Sequence, residues 1–270
     1  MFLTSLLVFF GAESYSANFG KGLEAYDAKD FVTARRVWLE LAEQGHANAQ
    51  MNLGLMYDFG KGVKKNDKKA IRWYSRAAEQ GHANAQHNLG VMYDKGKGVD
   101  QDYIEAAKWY REAAEQGNAN AQVRLGSMYH EGKGVTQSHQ EASKWFHKAA
   151  EQMHAGAQFN LGKVYQNGQG IKRDFQKAAK WFRKAAEQGY APAQLSLGLL
   201  YKKGDGVTQN HKEALKWHRK AAESGLAIAQ YNLGLIYRHR KDLGLMYKQE
   251  KGEGVNQGKK EAVKWYSKAA

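Results

Sequence analysis

The sequence predicts an all-α fold in which antiparallel helix pairs follow one another as a repeated array. Three observations carry that expectation. Tryptophan recurs at 38, 73, 109, 145, 181, 217 and 265, at intervals of 35, then 36 four times, then 48. In step with it, a Leu-Gly pair is followed by tyrosine: Leu53-Gly54 with Tyr57, Leu89-Gly90 with Tyr93, Leu125-Gly126 with Tyr129. The third is composition, since 29 glycines and one proline (Pro192) in 270 residues suit a chain of helices punctuated by turns.

From the N-terminus, Phe2 to Phe10 form an apolar run. It is too short for a bilayer span of about 20 residues. Residues 1–16 match the core of a secretory signal peptide, with Ser14-Tyr15-Ser16-Ala17 as the small-residue stretch where cleavage would fall. No basic residue precedes Lys21, so the alternative stays open that the run begins the first helix. The signal reading makes the protein periplasmic or secreted.

Residues 45–226 hold five regular repeats of 36. In the first segment of a repeat, Ala49, Leu53, Met56 and Tyr57 occupy i, i+4, i+7 and i+8, one face of a helix. In the second, Ala70, Trp73, Tyr74 and Ala77 occupy i, i+3, i+4 and i+7. A Gly-x-Gly such as Gly60-Lys61-Gly62 ends the first helix by admitting positive φ, and Gly81, Gly117, Gly189 and Gly225 end the second. Gly54 and its counterparts lie inside the first helix, where glycine costs about 1 kcal/mol against alanine. Its recurrence implies close approach of the partner helix, with Trp or Tyr packed on the missing side chain. One such hairpin cannot bury its apolar face, so neighbours must stack.

The ends differ. The unit at 17–44 passes from Tyr26 through Asp27-Ala28-Lys29-Asp30 directly into its second helix, without a Gly-x-Gly. The unit at 227–270 echoes Leu233-Gly234-Leu235-Ile236-Tyr237 as Leu243-Gly244-Leu245-Met246-Tyr247, so its first helix is overlong or broken near Asp242. Ala270 stands at the position of Ala78, before the Glu-Gln-Gly that closes other repeats. The expectation is an edge that frays, is covered by a partner, or continues in a longer chain.

The recurring pattern is legible as Ala83-Asn84-Ala85-Gln86, Leu89-Gly90, Tyr93, Gly96-Lys97-Gly98-Val99 and then Ala106 to Gly117. It resembles the Sel-one-like repeat (SLR), a relative of the tetratricopeptide repeat, over nearly the whole chain from Asn18. The first unit resembles a plain tetratricopeptide unit. The resemblance implies a right-handed α-solenoid superhelix of about seven antiparallel helix pairs. It also implies a non-enzymatic scaffold that binds a protein or peptide, in bacteria often in the cell envelope.

No catalytic constellation is legible, and neither a cofactor nor a metal is expected. With no cysteine there is no thiolate nucleophile or Cys-ligated metal. Glu79, Glu115, Glu151, Glu187 and Glu223 are equivalent helix ends spread along an axis, not a paired acid and base. His46, His82 and His154 share one loop position and fall too far apart for one metal. Gly-x-Gly-Val lacks the Lys-Ser/Thr of a phosphate-binding loop. Cysteine-rich SLR relatives are associated with β-lactamase activity, but none of the ten serines here begins a Ser-x-x-Lys.

The formal charge of +14 is carried largely by second helices, for example Lys69, Arg72 and Arg76, or Lys180, Arg183 and Lys184. Solvated helix faces are usually charged. The alternative function is binding of an anionic glycan through this basic face. Nucleic acid is not expected of an exported protein, and no segment reads as membrane-spanning.

In arrays resembling this one, the residue before Leu-Gly points into the groove lined by first helices. That position reads Lys21, Asn52, Asn88, Arg124, Asn160, Ser196 and Asn232. An amide offers both a donor and an acceptor, so such a ladder can pair with the backbone of an extended peptide. Lys21 and Arg124 would favour an acidic segment or a free carboxylate. Met51, His87, Val91, Phe159 and Lys163, one turn away, would set selectivity. The plainer reading, asparagine as a consensus helix residue, stays open beside it.

Overall fold

The computed structural model describes residues 18–238 and 255–269. The proposed signal segment (1–16) and the echoed stretch around Asp242 lie outside the described residues. Among the described residues all regular structure is helical. The chain divides into two compact units, Met1–Gln137 and Ser138–Ala270.

The first unit holds α1 (18–27), α2 (Phe31–Glu43), α3 (Ala47–Phe59), α4 (Asp67–Glu79), α5 (Ala83–Lys95), α6 (Tyr103–Glu115) and α7 (Ala119–Glu131). The second holds α8 (His139–Glu151), α9 (Ala155–Asn167), α10 (Phe175–Glu187), α11 (Ala191–Lys203), α12 (His211–Glu223), α13 (Ala227–Arg238) and α14 (Val255–Ala269).

Each start has a local cause. Second helices are capped by Asn66, Asp102, Ser138, Asp174 and Asn210, whose side-chain oxygens accept from backbone N–H groups of the first turn. First helices are capped by His46, His82, Asn118 and His154. Tyr190 offers no cap to α11, which instead carries Pro192 in its first turn.

The two glycines of Gly-x-Gly do different work. The first, as Gly60 at φ 66°, is the left-handed C-cap of the helix. The second, also left-handed, marks a close approach between repeats. A Cβ on Gly98 would lie 2.6 Å from the backbone of Asp67 at the start of α4. The equivalent atom on Gly206 would strike Phe175 at the start of α10.

Inside each pair, the in-helix glycine receives the residue after the tryptophan, not the tryptophan itself. Tyr74 covers Gly54, Tyr110 covers Gly90, Phe182 covers Gly162 and His218 covers Gly198. Those rings are fully buried or nearly so, whereas Trp73, Trp109 and Trp181 are half-buried. This corrects the register of the first unit. Trp38 covers Gly22, so it is the counterpart of Tyr74, exactly one period of 36 away, and Val37 is the counterpart of Trp73.

A buried glutamine row ties helix to helix. Gln50 Nε2 donates to the Ala42 carbonyl at 2.9 Å, and Gln86, Gln122, Gln158, Gln194 and Gln230 make the same bond eight residues back. The Oε1 atoms of Gln50, Gln86 and Gln158 accept from the glutamine that ends the next second helix. Gln80 bonds Gln50 at 2.7 Å, Gln116 bonds Gln86 at 2.6 Å and Gln188 bonds Gln158 at 2.8 Å.

Candidate partner-binding face of the first helices

In the first unit, successive first helices are held side by side. The ring of His82 accepts the Ala85 N–H through Nδ1. That bond leaves Nε2 as the donor to Asn48 Oδ1, at 2.9 Å. One repeat later Asn118 Nδ2 donates to Asn84 Oδ1 at 2.8 Å. At the far end Lys97 Nζ lies 3.7 Å from Asp58. These contacts set α3, α5 and α7 beside one another.

The ladder position lies on these helices in the first unit and on α9, α11 and α13 in the second. Asn52, Asn88, Asn160, Ser196 and Asn232 are half-buried, and Arg124 is exposed. Asn88 reaches α3, its Nδ2 lying 3.8 Å from Met51 Sδ. Among the described residues, Asn52, Asn160, Ser196 and Asn232 have no hydrogen-bond partner. The contrast with the glutamine row is sharp: there each Nε2 is consumed inside the protein, while here several amides at equivalent positions are left open. Lys21 does not belong to the row. With Gly22 under Trp38, the counterpart of Asn52 is Gly20, and Lys21 occupies the register of Leu53. One residue along a helix is a rotation of about 100°, and Lys21 instead contacts Asn18.

Electrostatics distinguish the units. On α3 and α5, Tyr74 donates to Asp58 at 3.4 Å and Tyr110 to Asp94 at 3.5 Å. Burial first, and then these carboxylates, push both phenols far above the ordinary tyrosine value. His87, beside Tyr110 at 5.6 Å between ring centres, is pushed down to about 4 by burial and then by Arg124. In the second unit, α9, α11 and α13 carry no Asp or Glu at all, but Lys163, Lys202 and Lys203. Apolar side chains lie among them: Leu199 and Tyr231 are exposed, while Leu195 and Leu235 are half-buried. His218 is pushed down to about 4 by burial and then by Lys202.

Reading only the position before Leu-Gly missed Asp58, Asp94 and Lys202. The signal for them is the residue after the recurring tyrosine, which reads Asp58, Asp94, His130, Gln166 and Lys202 along the chain.

Among the described residues, no group of three His, Asp or Glu side chains is placed to hold a metal. No helix there is long and apolar enough to cross a membrane.

The Sel1 repeat family model matches residues 47–82, 83–118, 119–154, 155–190, 191–226 and 227–270. A Sel1 repeat protein from Oxalobacter formigenes is similar to this chain at 35% identity, over 94% of this chain and 96% of the other, with a TM-score of 0.81. A protective antigen of uropathogenic Escherichia coli, described as displaying an SLR fold, is similar at 34% identity and a TM-score of 0.80. That match covers all of this chain and 64% of the antigen, so this chain spans under two thirds of its length. A comparison with curated proteins finds no match.

Proposed function

We propose, from the premise that this chain belongs to the Sel1 repeat family, that it is a non-catalytic scaffold binding an extended peptide segment of a partner protein. Within a unit, the segment lies across the first helices. The observation that carries this reading is the set of half-buried polar side chains without internal partners at Asn52, Asn160, Ser196 and Asn232. A half-buried amide loses hydration without gaining a bond, and a peptide backbone supplies both the donor and the acceptor it lacks. The acid-free α9, α11 and α13 face, with Lys163, Lys202 and Lys203 beside Leu199 and Tyr231, favours a segment that mixes carboxylates with apolar side chains. Residues 1–16 support an envelope or exterior location, where the partner would be met.

Selection of a random displayed peptide library against the protein tests this. Enriched peptides are expected to contain Asp or Glu with Leu, Phe or Tyr, and to keep most of their affinity when salt is raised. No enrichment, or binding abolished by moderate salt, would count against backbone pairing in favour of diffuse charge attraction.

A further inference from the structure

The second helix α4 lacks an ion pair that four other second helices make. Four residues before the tryptophan stands a glutamate, and it pairs with the lysine three residues on: Glu105 with Lys108 at 3.6 Å, Glu141 with Lys144 at 2.6 Å, Glu213 with Lys216 at 3.1 Å and Glu261 with Lys264 at 3.5 Å. On α4 the same positions are Lys69 and Arg72, and Arg76 follows one turn later. An i, i+3 attraction is thus replaced by repulsion, a local cost that no ion pair offsets. On α10 the glutamate is also replaced, by Lys177, but there the N-cap Asp174 lies 3.9 Å from that lysine. The N-cap of α4 is the neutral Asn66, and Asp67 faces Lys65 instead. Among the described residues none of Lys69, Arg72 and Arg76 has an ion-pair partner.

These three cations share a cleft of about 170 Å³ with Tyr57 and Trp73. Lys69 Nζ sits 5.2 Å from the centre of the Tyr57 ring, and the Arg76 guanidinium 4.8 Å from the centre of the Trp73 ring. Packing on the rings holds both cations near the cleft wall, with N–H groups left for an acceptor. The cleft is well below the roughly 300–1,000 Å³ of sites for drug-sized ligands, so it suits one charged group at the end of a larger molecule.

We propose that this cleft binds a phosphate monoester. A carboxylate or a sulfate ester brings one negative charge, whereas a phosphate monoester brings about −1.5 to −2 and three acceptor oxygens. That matches two guanidinium forks and an ammonium better than any singly charged group. The ester's carrier, a sugar or a lipid headgroup, projects from the cleft into solvent.

The test is titration of the full chain, at low ionic strength, with glucose 6-phosphate, with glucuronate, and with phosphatidylcholine vesicles containing phosphatidic acid. The wild type is expected to bind a phosphate-bearing probe and to bind glucuronate at least tenfold more weakly. Lys69→Glu, which restores the residue found in sister repeats and so preserves the fold, is expected to weaken phosphate binding at least tenfold with no loss in Tm. Lys177→Glu is expected to leave binding unchanged. Response to glucose 6-phosphate assigns a sugar phosphate, and response to vesicles alone assigns a lipid headgroup. Equal binding by wild type and Lys69→Glu, equal weakening by Lys177→Glu, or no binding of either phosphate probe would overturn the assignment.

Discussion

Gln194 shows how one side chain depends on the next repeat. Its Nε2 has the usual carbonyl, but its Oε1 is buried without a partner, because Ser224 stands where other repeats place glutamine and turns back to the Lys220 carbonyl. Ser224→Gln should supply the missing donor and stabilise by about 1–2 kcal/mol, seen as a higher denaturant midpoint. Met153 is a second local exception. It adopts φ 62° where sister repeats have glycine, and it is 73% exposed, so it holds strain without packing in return. Met153→Gly should stabilise by about 1 kcal/mol, again in a denaturation curve. Both sites are legible in the sequence as departures from Glu-Gln-Gly. The identity of the ring on each glycine was not, because Trp and Tyr are adjacent and both fit the apolar face of the helix. The interval of 35 at Trp38 was the trace of that ambiguity.

At the level of the helix pair, boundaries and pairing followed from Gly-x-Gly and from the 3.6-residue period, since both are backbone requirements that few residues satisfy. The second glycine's contact with the preceding repeat was not legible, because sequence spacing does not reveal which turn presses on which helix start. The in-helix glycines make a direct prediction. A Cβ on Gly162 would fall 2.6 Å from Phe182 ring atoms. Gly162→Ala should therefore destabilise by about 1–2 kcal/mol, the overpacking penalty outweighing alanine's helical advantage. Phe182→Leu in the same chain should recover part of that loss, as a double-mutant cycle would show.

Over the whole molecule, a buried neutral histidine makes stability depend on pH. His218, 1% exposed, replaces the Tyr or Phe of sister repeats, and its folded value of about 4 lies below the ordinary 6.5. The unfolded chain therefore takes up a proton that the folded chain refuses. Stability from this group is intact above pH 6.5, falls as pH drops toward 4, and is lost below that, on the order of 3 kcal/mol. His218→Phe should flatten unfolding free energy against pH in that window.

The candidate face was half legible. Periodicity placed Asn52, Asn88, Asn160 and Asn232 at equivalent helix positions, but Lys21 slipped by one because its unit has no Leu-Gly pair. Which amides stay open was a matter of tertiary contact, as Asn88 and its approach to Met51 show. The most direct measurement of the central claim is the affinity of a selected peptide for the triple variant Asn52→Ala, Asn88→Ala, Asn160→Ala, with thermal unfolding recorded beside it. The ladder predicts loss of binding, at least tenfold for the two open amides, Asn52 and Asn160, at about 1 kcal/mol each, with Tm nearly unchanged. Undiminished binding by a folded triple variant would contradict it.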